Sequence, residues 1–274
     1  MNNPYDLHAH SDRSDGTESP SAIVQKAKEK GLSLLAVTDH DTADGVSEAV
    51  NEGKRIGLSV IPGIEFNTEH PGELHILGYC VDIQNEALIN ALSSSKRARE
   101  KRNGLIFEKL KSLGLDISGV FKQSSGTTTR LNFAIALRDA GYADSAREAF
   151  NAYLSPGAPA YVPTERIAPE DVIEVIHGAG GVAVLAHPCK LKGDPLDLIR
   201  KLMGAGIDGL EVYYPGSTEE QTERFLNFAL QNGLMVTCGS DYHGANRSSV
   251  SLGCSWRDTP ELKKTFERLI KMLP

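Results

Sequence analysis

Cysteine is scarce in this 274-residue sequence: Cys80, Cys189, Cys238 and Cys254 are the only four, and no two form a C-x-x-C pair. That spacing excludes a zinc ribbon or a dithiol redox motif, so the four read as buried or partly buried free thiols. No apolar run approaches the roughly 18 residues of a membrane span. The opening stretch Met1–Asp6 lacks a basic segment followed by an apolar one, so no signal peptide is expected and the chain reads as cytoplasmic. Positive charge is also lacking. The formal net charge of −7 argues against binding long duplex nucleic acid. It does not argue against a phosphorylated substrate, because bound cations can dominate the local field. Internal repeats and low-complexity segments are absent.

With 40% hydrophobic and 24% charged residues, the composition suits a globular chain. The length fits one large α/β domain, alone or carrying an inserted subdomain. Strands are expected at Tyr5–His8, Leu34–Thr38, Val60–Ile61, Leu74–Cys80, Val182–Ala186, Ile207–Val212 and Leu234–Cys238, with Pro62-Gly63 leading on from the third to Ile64-Glu65-Phe66. Between them lie helical patterns. One starts with Ser19 as N-cap and Pro20 as first residue and stops at Gly31; another is capped by Asp44 and stops at Gly57. A helix over Pro260–Met272 closes the chain. This alternation predicts a parallel sheet with helical crossovers. About seven strand slots favour a barrel over an open sheet. Residues 84–162 break the rhythm with helices over Glu86–Leu113, Arg130–Ala140 and Ser145–Tyr153. They read as a basic helical insertion, leaving 1–83 and 163–274 as the barrel.

Eight histidines are present, most of them beside carboxylates. His8 and His10 are two apart on a strand and therefore point the same way. Asp15 lies in a turn just past that strand. His40, flanked by Asp39 and Asp41, follows the second strand, and Glu65, in Gly63-Ile64-Glu65, follows the third. His75 begins the fourth. His187 follows the strand after the insertion, and Asp241 and His243 follow the last one. In a parallel barrel the C-terminal strand ends meet on one face, which carries the active site. His177, on a helix, reads as a surface or hydrogen-bonded histidine, and His70, in a polar turn, as solvated. Imidazole with carboxylate suits Zn, Mn or Fe. Nine candidate ligands are too many for one ion, so two or three divalent ions are expected, with a carboxylate as bridge.

The segments DLHAHSDRSDG (6–16), TDHD (38–41), GIE (63–65), AHP (186–188) and GSDYH (239–243), together with the strand holding His75, resemble the polymerase-and-histidinol-phosphatase (PHP) family of metal-dependent phosphoesterases. The insertion resembles that of the subgroup of nucleoside-3′,5′-bisphosphate phosphatases and short-RNA 5′-to-3′ exonucleases. The segments that carry this likeness are TTRLNFAIAL (128–137) and AFNAYLSPGAPAYVP (149–163). The resemblance implies a distorted (β/α)₇ barrel, TIM-like, with a trinuclear metal centre. His8, His10, Glu65 and Asp241 would hold the first ion, and bridging Glu65 with His75 and His187 the second. Asp15, His40 and His243 would hold the third. Asp15 stands where many members have histidine, and the subgroup uses aspartate there. Two positions depart from the subgroup. Asn132 replaces a histidine, and Cys189-Lys190 replace Gly-Arg.

Glu65, Asp241 and His243 are the expected catalytic ligands. The expected nucleophile is a water shared by two ions, its pKa lowered from 15.7 to about 7. Asp39 or Asp41 is expected to orient His40. Arg130 and Lys190, with Asn132 beside them, are expected at the substrate phosphate. Arg99 and Arg102 share a helix face and reach a second phosphate or stay solvated. Tyr213 or Tyr214 stacks on a base or packs at the rim. The expected substrate is a small phosphorylated nucleotide, foremost the 3′-phosphate of a nucleoside 3′,5′-bisphosphate. Short oligoribonucleotides and histidinol phosphate are alternatives. Two further readings are a barrel amidohydrolase, which the third ligand set disfavours, and a non-catalytic metal-binding domain, which the completeness of the ligand set disfavours.

Overall fold

Seven strands hydrogen-bond in chain order: β1 (Tyr5–Asp6), β2 (Leu34–Val37), β3 (Ser59–Asn67), β4 (His75–Tyr79), β5 (Val182–Leu185), β6 (Gly209–Tyr213) and β7 (Met235–Cys238). The computed structural model describes residues 4–121 and 128–273. Backbone bonds just past β1 and β7 bring the two edges together: Leu7 N donates to Cys238 O at 3.2 Å and His10 N to Tyr242 O at 2.8 Å. The sheet therefore curls into a nearly closed barrel, which removes the exposed strand edges of an open sheet. Alternation of strand and helix had implied this. The strands are short and apolar, and β2, β4, β5 and β7 are buried at every residue. Barrel strands covered on both faces read as continuous hydrophobic runs for this reason.

Helices α1 (Pro20–Glu29), α2 (Val46–Ile56), α6 (Pro169–Gly178), α7 (Pro195–Gly204), α8 (Glu219–Gln231) and α9 (Pro260–Lys271) surround the barrel. Between α2 and α6 come α3 (Glu86–Ser112), α4 (Arg130–Asp139) and the short α5 (Ala146–Ala149), which continues into a turn of π-helix at Phe150–Leu154. The punctuation follows local chemistry. Ser19 Oγ accepts from Ala22 N at 3.2 Å to cap α1. Gly57 ends α2 at φ 71°, a conformation glycine adopts without a Cβ clash. Asp44 does not cap α2; Gly45 holds the cap position without a side-chain bond, and Asp44 N instead donates to Thr42 Oγ1.

Two expectations change. Glu65 does not follow the third strand but lies within it: β3 is one nine-residue strand that continues through Pro62-Gly63. The sheet is not wholly parallel either, because β4 runs antiparallel to both β3 and β5. The physical reason is the short link from Thr68 to Leu74, closed by Thr68 N and Oγ1 on Leu74 O at 3.1 and 2.9 Å. A link this short makes a hairpin, whereas a parallel return needs a crossover of a dozen residues or more. Reversal puts the first residue of β4, His75, at the rim where the neighbouring parallel strands end.

It also sets the path of α3. Asn85 caps this helix at the opposite end of the barrel, where its Nδ2 donates to Gly178 O. Its 27 residues extend about 40 Å at 1.5 Å each. The helix thus passes the ligand-bearing rim and carries its second half beyond the barrel. There Ile106, Leu110, Ile117, Phe133, Leu137, Leu154 and Val162 form a hydrophobic cluster separate from the two barrel clusters. Among the described residues no helix is long and apolar enough to cross a membrane.

Candidate metal centre

All nine expected ligands converge at one rim. His8 and His10 follow β1, fully buried, with their Nε2 atoms 3.1 Å apart. Glu65, also fully buried, lies at the centre. Its Oε1 faces His75 Nδ1 at 2.8 Å and His187 Nε2 at 3.1 Å. Its Oε2 faces His40 Nδ1 at 3.0 Å, His10 Nε2 at 3.1 Å and His8 Nε2 at 3.3 Å. Asp241 Oδ1 meets His10 and His8 at 3.3 and 3.5 Å. A third set gathers His10, His40 and His243 around Asp15, with His243 Nε2 3.2 Å from Asp15 Oδ1. A carboxylate whose two oxygens face different imidazoles is arranged as a bridge, and Glu65 is so placed.

The backbone is bent to aim these groups. Asp41, His187 and Asp241 have φ of 51°, 30° and 55°. Left-handed backbone at a non-glycine residue costs about 1–3 kcal/mol, and such positions collect at functional sites. Gly239 is required by close approach: a Cβ there would lie 2.2 Å from His8 Cβ and 2.4 Å from Glu211 Oε1.

The charges explain why cations belong here. Burial pushes the Glu65 carboxyl up, yet His40, His8 and His75 hold it well below its usual range. Asp15 and Asp241 are likewise held down against burial, by His243 and His40 in one case and by Lys190 and His8 in the other. Burial lowers His8, but Glu211, Glu65 and Asp241 raise it well above normal, and His10 is raised to about 10 by Asp241 and Glu65. His187 falls to about 3 through burial and Lys190. Glu65 Oε2 and Asp15 Oδ1, though close to imidazole nitrogens, and His10 Nδ1 are buried without a well-aligned hydrogen bond among the described residues. Leaving such an atom unsatisfied costs about 1–3 kcal/mol or more. Divalent cations satisfy carboxylate and imidazole lone pairs together, so the donor set fits a metal centre of N and O ligands.

Several supporting residues escaped sequence reasoning. Glu211, buried in β6, accepts from His8 Nδ1 at 2.9 Å and from His187 N at 2.7 Å. It thereby fixes the tautomer that frees His8 Nε2 for a metal. Its one signal was a lone carboxylate inside an apolar run. Asp6 accepts from His8, Ser240 and Gly253 N, splinting β1 to the loops after β7. Neither acid beside His40 touches its ring. Asp39 instead shapes the loop leading to Asp15, accepting from Ser11 N and Oγ and from Ser14 Oγ. Asp41 acts one residue removed, holding Asn67, whose Nδ2 lies 3.1 Å from His40 Nδ1.

Beside the metal rim opens a cleft of about 520 Å³, lined among others by Asp15, His40, His75, Arg99, Arg102, Arg130 and Arg166. Arg99 pairs with Asp41. Arg102 is 3% exposed and has no carboxylate partner among the described residues; its Nε donates to Asn103 Oδ1 and its NH2 to Thr128 O. Burial, and then Arg99, Arg130 and Arg166, push Arg102 down to about 8. Arg130 donates to Val162 O and lies over the Tyr161 ring, but its buried Nε is unpartnered. Arg166 was not singled out in the sequence, where no motif marks it. Asn132 Oδ1 is committed to Thr129 N and Oγ1 at the start of α4. Lys190 is not in this cleft's lining but beside Asp241 Oδ2, at 3.2 Å. Tyr214 is 5% exposed, with its hydroxyl on the same oxygen, so it packs at the rim and presents no free ring to a base. His177 is a half-exposed partner of Asp208, and His70 Nδ1 accepts from Gly72 N in its turn.

The chain is similar to known proteins over its whole length. It is 34% identical to the 5′-3′ exoribonuclease of Haemophilus influenzae, covering 100% of this chain and 98% of that one. It is 33% identical to the 3′,5′-nucleoside bisphosphate phosphatase of Chromobacterium violaceum over 90% of both chains. A solved structure from Bifidobacterium adolescentis, assigned as a metal-dependent phosphoesterase, superposes with a TM-score of 0.84 at 30% identity, covering 99% of this chain and 97% of that one. The family model described as PHP domain matches residues 6–155. With its histidine–carboxylate rim on a seven-stranded barrel, the chain belongs to the PHP family and is a metal-dependent phosphoesterase.

Proposed function

We propose that the chain hydrolyses the 3′-phosphate of nucleoside 3′,5′-bisphosphates. The observation that carries this reading is the cluster of Arg99, Arg102, Arg130 and Arg166 in the same cleft as Asp15, His40 and His75. A substrate with one phosphate needs only the metal rim. A set of buried and half-buried guanidinium groups, with Asp41 pairing one of them, calls for a second anion beside the metal rim. Guanidinium groups suit phosphate because their planar donors match its oxygens two at a time. Residues 84–162 act in this reading as the cap that brings α3 and α4 over the barrel.

Two or three divalent ions, of Mn, Fe or Zn type, would be held by His8, His10, Glu65 and Asp241, by Glu65, His75 and His187, and by Asp15, His40 and His243. Bound there, they supply an acidified water and counter-charge for the phosphoryl oxygens. The chain's own residues do the rest. Glu211 and Asn67 hold His8 and His40 in register. The arginines bind the non-reacting phosphate and so fix the 3′-phosphate against the rim. Burial keeps bulk water from the reacting atoms and strengthens each charge interaction.

A second reading, trimming of short 5′-phosphorylated RNA, is supported by the name of the Haemophilus influenzae relative. The arginines would then take the 5′-phosphate of the first nucleotide. Phosphate and nucleotide release is measured with Mn²⁺ from adenosine 3′,5′-bisphosphate, AMP, histidinol phosphate and a short 5′-phosphorylated RNA. The bisphosphate is expected to be the best substrate. Arg102→Met raises KM for it at least about tenfold, the scale of one lost charge-assisted contact, with little change for an aryl phosphate. An equal effect on both substrates, or faster turnover of histidinol phosphate, overturns the reading.

A further inference from the structure

The two oxygens of Asp241 face different surroundings. Oδ1 looks into the ligand set, toward His8, His10 and His243 at 3.3–3.6 Å. Oδ2 looks out, to Lys190 Nζ at 3.2 Å, Tyr214 OH at 2.9 Å and Arg247 NH1 at 2.5 Å. Arg247 is fixed at a second point, where its NH2 donates to Tyr214 OH at 3.0 Å. Lys190 and Arg247 lie 5.3 and 5.4 Å from the Tyr214 ring centroid. Two cations thus share one carboxylate oxygen, and among the described residues Glu73 at 3.9 Å from Lys190 is the only other acid within ion-pair reach of either. Their side chains remain 31% and 30% exposed, so neither is sealed from solvent beside Asp241.

Once Asp241 spends its charge on bound ions, this pair is left with an excess of positive charge at the edge of the metal centre. It is separate from the arginine cluster, which is built around Asp41, Asn67 and Tyr161. Lys190 is already expected at the substrate phosphate; we propose that Arg247 joins it there and grips the non-bridging oxygens of the phosphoryl group that is cleaved. Charge in phosphoryl transfer is spread over three equatorial oxygens, and stabilising it is most of what the protein can contribute. Ions held by the ligand set would supply counter-charge on one side, and a guanidinium held at two points by Asp241 and Tyr214 is preorganised to add it on another. Arg247 is then a catalytic residue, and Tyr214 positions it. The inference rests on the phosphoesterase chemistry and not on which phosphate ester is the substrate.

The test uses full-length, Mn²⁺-loaded protein of measured metal content. Arg247→Met lowers kcat by the same factor, about 10²–10³, on p-nitrophenyl phosphate and on adenosine 3′,5′-bisphosphate. It also weakens inorganic phosphate binding, read by calorimetry, at least about tenfold, the scale of one lost charge-assisted contact, with metal content unchanged. Arg247→Lys recovers only part of either quantity, because an ammonium is a point charge and not a fork. Tyr214→Phe, a milder change, weakens phosphate binding several-fold and covers the case in which Arg247→Met does not fold. Wild-type phosphate affinity in Arg247→Met, or in Tyr214→Phe if that is the only folded variant, overturns the proposal. So does a loss of activity that tracks loss of metal, or a loss confined to the bisphosphate. Because the aryl phosphate is read in parallel, failure of the nucleotide assignment leaves this test intact.

Discussion

At the residue scale, the centre is a set of opposed charges that only cations reconcile. Burial lowers His8 and His10, but their carboxylate neighbours raise both above the ordinary imidazole range, so protons compete with metal for this ligand set. A metal ligand must be neutral imidazole, so loading displaces those protons. Mn²⁺ binding is therefore expected to release protons and to tighten as pH rises from 6 to 9, checked by calorimetry in buffers of different ionisation enthalpy. Affinity independent of pH across that range would contradict the assigned protonation. Glu211→Gln leaves the shape of β6 but removes the charge that holds His8 Nδ1–H. A 10–100-fold fall in metal affinity is expected, read by competition with a chelator.

At the scale of elements, one reversed strand and one long helix shape the site. β4 returns through a hairpin, so His75 opens a strand and still lies at the ligand-bearing rim. α3 runs past that rim and places Arg99 and Arg102 at the cleft on the way to a hydrophobic cluster of its own. Phe133 is fully buried in that cluster, with Phe107 and Phe121 ring centroids 4.9 and 4.8 Å away. Phe133→Ala is expected to cost about 3–5 kcal/mol. Because the cluster shares no residue with the barrel clusters, faster amide hydrogen exchange is expected over 106–162, with β2 and β5 unchanged. Uniformly faster exchange would show that the two parts unfold as one.

At the scale of the whole molecule, the candidate ligands come from both ends of the chain, from His8 to His243, so metal ions held there would tie the barrel's closing edges together. Binding to the folded state alone stabilises it by about 2.7 kcal/mol at a hundredfold excess of free metal over Kd. Mn²⁺ should raise the unfolding temperature of the wild type and raise it much less in His8→Ala, followed by calorimetry. An equal rise in both would place the stabilising ion elsewhere.

Much of this was legible in the chain itself. Short apolar runs marked the strands, and polar residues just beyond them marked the rim, because a strand that enters a barrel core must be apolar until it leaves it. The histidines and carboxylates that gather at the rim were legible too, since each stands at or beside the end of an apolar run. Tertiary structure decided the rest. Whether β4 runs up or down depends on a hairpin between two strands that look alike in sequence. Glu211 and Asp6 are fixed as second partners by contacts across more than 200 residues of chain for His8–Glu211 and Asp6–Ser240. Arg166 and Arg247 carry no motif, and an arginine becomes an anion site only when folding takes away its carboxylates or shares one among several cations.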